Sequence, residues 1–112
     1  MASILVVEDD KLTAAALAFF LKDLGHQVHR AGTLQEALRA ASEQTFDLIV
    51  SDMQLPDGRG EDLLTTLDVP AIALTGFALD SVSERFALRL QKPVDLDALE
   101  SGVRRVLSER AR

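Results

Sequence analysis

DLIVSDMQLPDGRG, residues 47–60, is apolar through Val50 and ends its strand-like run on a bare carboxylate, Asp52, ahead of turn residues at Pro56, Asp57 and Gly58. A strand with one wet face alternates, whereas a short continuous apolar run bounded by turn chemistry reads as a strand buried on both faces. SILVV (3–7) and AIALT (71–75) have the same character, and a weaker QVHRA (27–31) and LRLQ (88–91) bring the expected strands to five. Helical patterns lie between them. Residues 11–24 place Leu12, Ala15, Ala16, Phe19 and Phe20 on one stripe and stop at Gly25, a good C-terminal cap. Thr33 with Glu36 resembles a capping box that opens a helix through about Ser42, and 60–67 accommodates a short third helix. Leu96, Leu99, Val103, Val106 and Leu107 recur at helical spacing behind Asp95 and Asp97, which makes them the last helix.

Strands alternating with helices imply a parallel sheet covered on both faces by right-handed crossovers. The expected fold is a doubly wound, five-stranded α/β domain of order 2-1-3-4-5 spanning 1–112, with no internal repeat, interdomain linker or output domain. The 112 residues and their 47% hydrophobic content fit one globular core. A formal charge of −6 repels phosphate backbones and anionic headgroups, which argues against direct nucleic-acid or membrane partners. Cysteine is absent, so disulfides and thiolate zinc sites are excluded, and no run approaches a signal or a membrane span; the cytoplasm is the expected location.

In an open parallel sheet, ligands bind outside the carboxyl ends of the strands, where the strand order reverses. Strand one ends in Glu8-Asp9-Asp10, strand three in Asp52, strand four in Thr75 and strand five in Lys92. If strands one and three are neighbours, their ends lie roughly 5 Å apart, crowding Asp9 and Asp52 with Glu8 close by. Like charges at that separation call for a cation. Hard carboxylate oxygens with room for water suit Mg²⁺, which also takes phosphate oxygens. A hydroxyl from Thr75 and an ammonium from Lys92 can reach a phosphoryl group, and a carboxylate can be the nucleophile that receives it, with Asp52 the best placed.

Taken together, ILVVEDD (4–10), DLIVSDMQLPDGRG (47–60), PAIALTG (70–76) and QKPVD (91–95) resemble, in order and over almost the whole chain, the receiver domain of two-component response regulators, a flavodoxin-like fold of the chemotaxis type. The resemblance implies that Asp52 accepts a phosphoryl group from a phosphohistidine on a sensor histidine kinase or a histidine phosphotransfer protein, and that the chain then acts on a downstream protein target. It implies Mg²⁺ held directly by Asp9 and Asp52, by Glu8 through water and by the backbone carbonyl of Gln54. Thr75 corresponds to the switch hydroxyl and Lys92 to the phosphate-binding lysine, before a Pro93 that is often cis in the family. Pro56 and Gly60 occupy the family's loop. Such a phosphoprotein is no enzyme toward outside substrates; it catalyses only its own phosphoryl transfer and hydrolysis. KPVDLDAL (92–99) resembles free-standing regulators and the receivers of hybrid kinases alike.

The chain also departs from the pattern. From Thr75 to Lys92 there are 17 positions, fewer than the family's fourth helix and following turn usually occupy, so at most a short helix over Asp80–Ala87 is expected. Three residues before Lys92, where an aromatic usually swings with the switch threonine, stands Arg89, and the chain has no tyrosine. LTGF (74–77) resembles receivers with Gly after the switch threonine and an aromatic soon after, which makes Phe77 the candidate substitute. With Gln54 and Phe77 at the two positions that influence hydrolysis, an unremarkable or slow self-hydrolysis of the phosphoryl group is expected, with back-transfer or a phosphatase as the main route of removal. These departures leave an alternative open: a pseudo-receiver that binds partners without phosphorylation. A Mg²⁺-dependent phosphatase is disfavoured, because Gln54 stands where such enzymes carry a second Asp. GRGEDL (58–63) lacks the third glycine of a dinucleotide fingerprint. Asp10 reads as a helix N-terminal acid and Asp57-Gly58 as turn chemistry. His26 and His29 read as surface residues, and the arginines at 104, 105, 110 and 112 as partners of a helix C-terminus.

Overall fold

The structure, a computed structural model, describes residues 2–76 and 85–110. Along the chain run β1 (Ser3–Val7), α1 (Lys11–Asp23), β2 (Gln27–Ala31), α2 (Leu34–Glu43), β3 (Leu48–Asp52), β4 (Gln54–Leu55), β5 (Gly58–Arg59), α3 (Asp62–Thr66), β6 (Ala71–Thr75), β7 (Leu88–Gln91) and α4 (Leu96–Arg110). The main sheet is parallel throughout, in the order β2-β1-β3-β6-β7. Setting aside the small β4–β5 hairpin, this is the expected 2-1-3-4-5.

Period-two side-chain alternation sends neighbouring residues of each strand to opposite faces, and both faces are covered. Leu5, Val7, Ile49 and Ala73 pack toward Ala37 and Ala40 of α2 and Leu63 of α3. On the other face Ile4, Val6, Leu48, Val50, Ile72 and Leu74 pack toward Leu17 and Leu21 of α1 and Leu99, Val103 and Val106 of α4. This two-sided burial is why β1, β3 and β6 are apolar without alternation.

The buried face of α1 differs from the expected stripe. Leu12 is 83% exposed and Phe19 75%, Ala15 and Ala16 are also exposed, and the buried residues are Ala14, Leu17, Ala18 and Leu21. The helix is apolar on almost every side, so spacing alone admits two stripes. The sheet takes the one on which Ala14 and Ala18 let the backbone approach closely while Leu17 and Leu21 fill the layer. Leu96, counted in the stripe of α4, is exposed as well. Of the short helix expected over Asp80–Ala87, Arg85, Phe86 and Ala87 form turn and bend, and the rest lies outside the described residues.

Helix ends follow the sequence more closely. Gly25 has φ +100° and closes α1 with two bonds, Gly25 N–H to the Lys22 carbonyl and His26 N–H to that of Leu21, the pairing of a Schellman motif. At α2 the Thr33 hydroxyl accepts from Glu36 N–H, while the Glu36 carboxylate reaches one residue further back than a standard capping box, to Gly32 N–H. Asp95 caps α4, accepting from Asp97 and Ala98 N–H. No helix among the described residues is long and apolar enough to cross a membrane.

Gly60 has a different task from Gly25. A Cβ on Gly60 would stand 2.3 Å from the Asp52 carbonyl oxygen and 3.0 Å from Ser51 Oγ, so this glycine lets the returning hairpin lie against the end of β3. Gly25 meets nothing within 4 Å and serves only its dihedral angle. Gly60→Ala is expected to cost about 1–3 kcal/mol through backbone displacement, and Gly25→Ala about 1–2 kcal/mol through left-handed strain, both measured by urea unfolding; an unchanged midpoint for Gly60→Ala would contradict the close approach.

Candidate functional site

Because the strands are parallel, their carboxyl ends share one rim. β1 delivers Glu8 and Asp9, its neighbour β3 delivers Asp52, β6 ends in Thr75, and β7 runs into Lys92. The structure brings every expected residue together: one cleft is lined by Asp9, Asp52, Gln54, Thr75 and Lys92, among others, and carboxylate oxygens of Glu8, Asp9 and Asp52 all lie within 4.8 Å of one another. Glu8 is 3% exposed, Asp52 half-buried and Asp9 exposed, so the trio runs from the protein interior out to solvent.

Lys92 is where the structure adds most. Its Nζ lies 2.9 Å from Glu8 Oε1 and 3.0 Å from Asp52 Oδ2, bridging two acids that sit 84 and 40 residues away in the chain. The backbone aims it: Lys92 N–H donates to the Thr75 carbonyl at 2.6 Å, and the Lys92–Pro93 peptide is cis, as the resemblance implied. Glu8 is held by its own N–H to the Ala31 carbonyl at 3.0 Å and by Asp10 N–H donating to Oε2 at 3.2 Å. Gln54 N–H donates to Asp52 Oδ1 at 3.3 Å, and Met53 N–H to the Leu74 carbonyl at 3.1 Å, so the loop after β3 starts tied to both.

The electrostatics follow from this burial. Loss of water raises the Glu8 carboxyl above the ordinary carboxylate range despite the hydrogen bonds from Lys92 and Asp10 N–H, and the negative Asp52 pushes the same way. For Lys92, burial alone would lower the ammonium; the bonds to Glu8 and Asp52 outweigh it and raise it. The set is therefore three oxygen donors and one firmly charged cation around a partly open cleft. Such hard donors suit a divalent cation of the Mg²⁺ kind, and no histidine or cysteine lines the cleft.

Some roles were not visible in the spacing. Ser51, fully buried, donates its hydroxyl to the Asp52 carbonyl at 2.8 Å. Asp57, read as turn chemistry, accepts from Leu34 N–H at 2.7 Å and Gln35 N–H at 3.0 Å, which holds its carboxyl below the usual range. His26, read as a surface residue, is half-buried, accepts Ala2 N–H on Nδ1 and is lowered by that burial. Phe77 lies outside the described residues.

The chain matches the response regulator receiver domain model over residues 4–104. It is similar to the DNA-binding transcriptional regulator NtrC of Azospirillum brasilense, 32% identical over 117 residues that cover 96% of this chain and 24% of that protein. It is also similar to the KDP operon transcriptional regulatory protein KdpE of Escherichia coli, 32% identical over 116 residues covering 93% of this chain and 50% of the relative. The chain thus spans between a quarter and a half of the length of these regulators. Among solved structures, a response regulator receiver domain protein from Clostridium thermocellum superposes with a TM-score of 0.88 at 25% identity, covering 99% of this chain and 98% of that one.

The raised Glu8 carboxyl fixes the sign of a pH effect. A group raised in the fold adds stability below its unfolded value, here the ordinary 4.5, and that contribution is lost as pH rises through the folded value. In chelator at neutral pH, Glu8→Gln is expected to melt a few degrees above the parent chain, with the gap closing below that ordinary value; a variant that melts lower at neutral pH would show that the ion pair with Lys92 outweighs the burial.

Proposed function

The chain belongs to the response regulator receiver domain family, and on that premise we propose that it is a phosphoacceptor switch of two-component or phosphorelay signalling whose Asp52 takes a phosphoryl group from a partner phosphohistidine. The observation that carries this reading is the convergence of Glu8, Asp9 and Asp52 within 4.8 Å beside a lysine bonded to two of them. A sheet rim has no structural need for that density of charge.

The residues divide the work by position. Asp52 is the nucleophile: one carboxylate oxygen forms the new P–O bond while the P–N bond to the phosphohistidine breaks, and the nitrogen keeps the bonding pair, so that the ring, carrying a proton on its other nitrogen, leaves as neutral imidazole. Asp9, Asp52 and the backbone carbonyl of Gln54 are suited to hold Mg²⁺ directly, with Glu8 acting through water; when bound, the ion supplies charge neutralisation on the phosphoryl oxygens. Lys92, which spends its charge on Glu8 and Asp52 in this structure, is the group best placed to follow the incoming negative charge onto a phosphoryl oxygen. The Thr75 hydroxyl, at the end of β6 in the same cleft, is the second donor. About −1.5 to −2 charges added at one rim then bias the adjacent surface toward a second state that a downstream protein reads.

In this reading the partners are a sensor histidine kinase or histidine phosphotransfer protein and a protein target, the location is cytoplasmic, and no external substrate is turned over. Any DNA-binding output belongs to the longer regulators and not to the surface of this chain, which carries a formal charge of −6. A phosphorylation-independent pseudo-receiver is the second reading. It draws on Arg89, half-buried on β7 where the family usually has an aromatic.

The deciding experiment is intact-protein mass after incubation with Mg²⁺ and acetyl phosphate, beside an Asp52→Asn variant and a chelated sample. The expected outcome is a gain of one phosphoryl group in the parent chain and none in either control. No gain, together with no Mg²⁺ binding by calorimetric titration, would replace the switch with the pseudo-receiver.

A further inference from the structure

At the end of α2 the orphan N–H groups of the first turn are satisfied from two sources. Thr33, the local cap, takes Glu36 N–H at 3.0 Å. Leu34 and Gln35 N–H instead donate to the two carboxylate oxygens of Asp57, at 2.7 and 3.0 Å, from a residue 23 and 22 positions further along the chain. An anion at a helix N-terminus is favoured by both the free donors and the aligned peptide dipoles.

Asp57 sits in the turn of the β4–β5 hairpin, whose pairing sets Gln54 opposite Arg59 and Leu55 opposite Gly58. The base of that hairpin is closed by Gly60 N–H donating to the carbonyl of Met53, the residue after β3, at 2.9 Å, and is tied to β3 by Gln54 N–H donating to Asp52 Oδ1 at 3.3 Å. Its tip is fastened to α2 by the bonds to Asp57, and Gly58 beside it passes close to the Leu34 side chain, a Cβ there standing 2.7 Å from Leu34 Cδ2. Between those fixed points Gln54, Leu55 and Pro56 form one wall of the cleft.

We infer that Asp57 is a positioning residue: by capping α2 from the hairpin tip it sets where the Gln54 backbone carbonyl stands relative to Asp9 and Asp52. Turn chemistry alone does not require this acid, because a two-residue turn before a glycine closes with many side chains. The local cap serves other groups, Thr33 taking Glu36 N–H and Glu36 reaching back to Gly32 N–H, so Leu34 and Gln35 N–H look to the hairpin for their acceptor. What Asp57 adds is a direct hydrogen-bonded join between the helix end and the loop that leaves the proposed phosphoacceptor. The consequence for metal affinity rests on the reading of Gln54 as a ligand given above; the consequence for the hairpin does not.

The test compares Asp57→Ala with Thr33→Ala, two losses at the same helix terminus of which only the first reaches the hairpin. Both are expected to lower the melting temperature. Only Asp57→Ala is expected to speed amide exchange at Gly60, by about fivefold, a typical cap loss, and to weaken Mg²⁺ binding in calorimetric titration by about tenfold, the low end for an outer partner of a metal site. Asp57→Asn, which keeps the shape and one acceptor, is expected to fall between and serves if the alanine variant does not fold. Equal Gly60 exchange in the Asp57 and Thr33 variants, or Mg²⁺ affinity altered to the same extent by both, would overturn the proposal. If the parent chain binds no Mg²⁺, the metal reading of the site fails, and Gly60 exchange still decides the role of Asp57.

Discussion

All five strands of the main sheet point the same way, and the chemistry of the molecule follows from that constraint. The carboxyl ends of the strands share one rim, and the polar residues at or just past the ends of β1, β3, β6 and β7 meet there whatever their distance in the sequence. Glu8, Asp9 and Asp52 are thereby pressed together, and an ammonium on Lys92 answers them. The arrangement is costly in isolation. Glu8 is buried enough to be raised despite its lysine, and an apolar residue of similar size would serve the core better. Sites that carry chemistry are where such a mismatch between local comfort and retained residue is expected.

Much of the fold was legible because two-sided burial leaves a plain signature. SILVV, DLIVS and AIALT read as strands buried on both faces, and their alternation with helices made a parallel sheet the arrangement that packing rules favour. The rim residues were legible for the same reason, as the letters on which apolar runs stop. The face of α1 was not, since Leu12, Leu17, Phe19, Phe20 and Leu21 offer more than one stripe and only contact with the sheet selects between them. The partners of Lys92 and Asp57 were hidden by distance: their bonds span 84, 40, 23 and 22 residues, and no local pattern encodes them.

The similarity to solved receivers makes the same point from the other side. Three residues in four differ from the Clostridium thermocellum protein, yet the backbones superpose with a TM-score of 0.88. What persists across such divergence is the alternation of buried and covered layers, which many aliphatic combinations satisfy. The rim tolerates far less exchange. A carboxylate moved by one position in a strand would point to the other face of the sheet, and Gly60 admits no side chain without displacing the Asp52 carbonyl.

The double capping of α2 has a meaning for the order in which the chain can be completed. The bonds from Thr33 and Glu36 are available as soon as the helix itself has emerged from the ribosome, whereas those from Asp57 wait until β3 and the hairpin have been synthesised. Because β1 pairs with both β2 and β3, residues 3–52 hold three adjacent strands before any of β6 exists. The helix end thus has one cap built from residues beside it in the sequence and a second that needs the segment following Asp52.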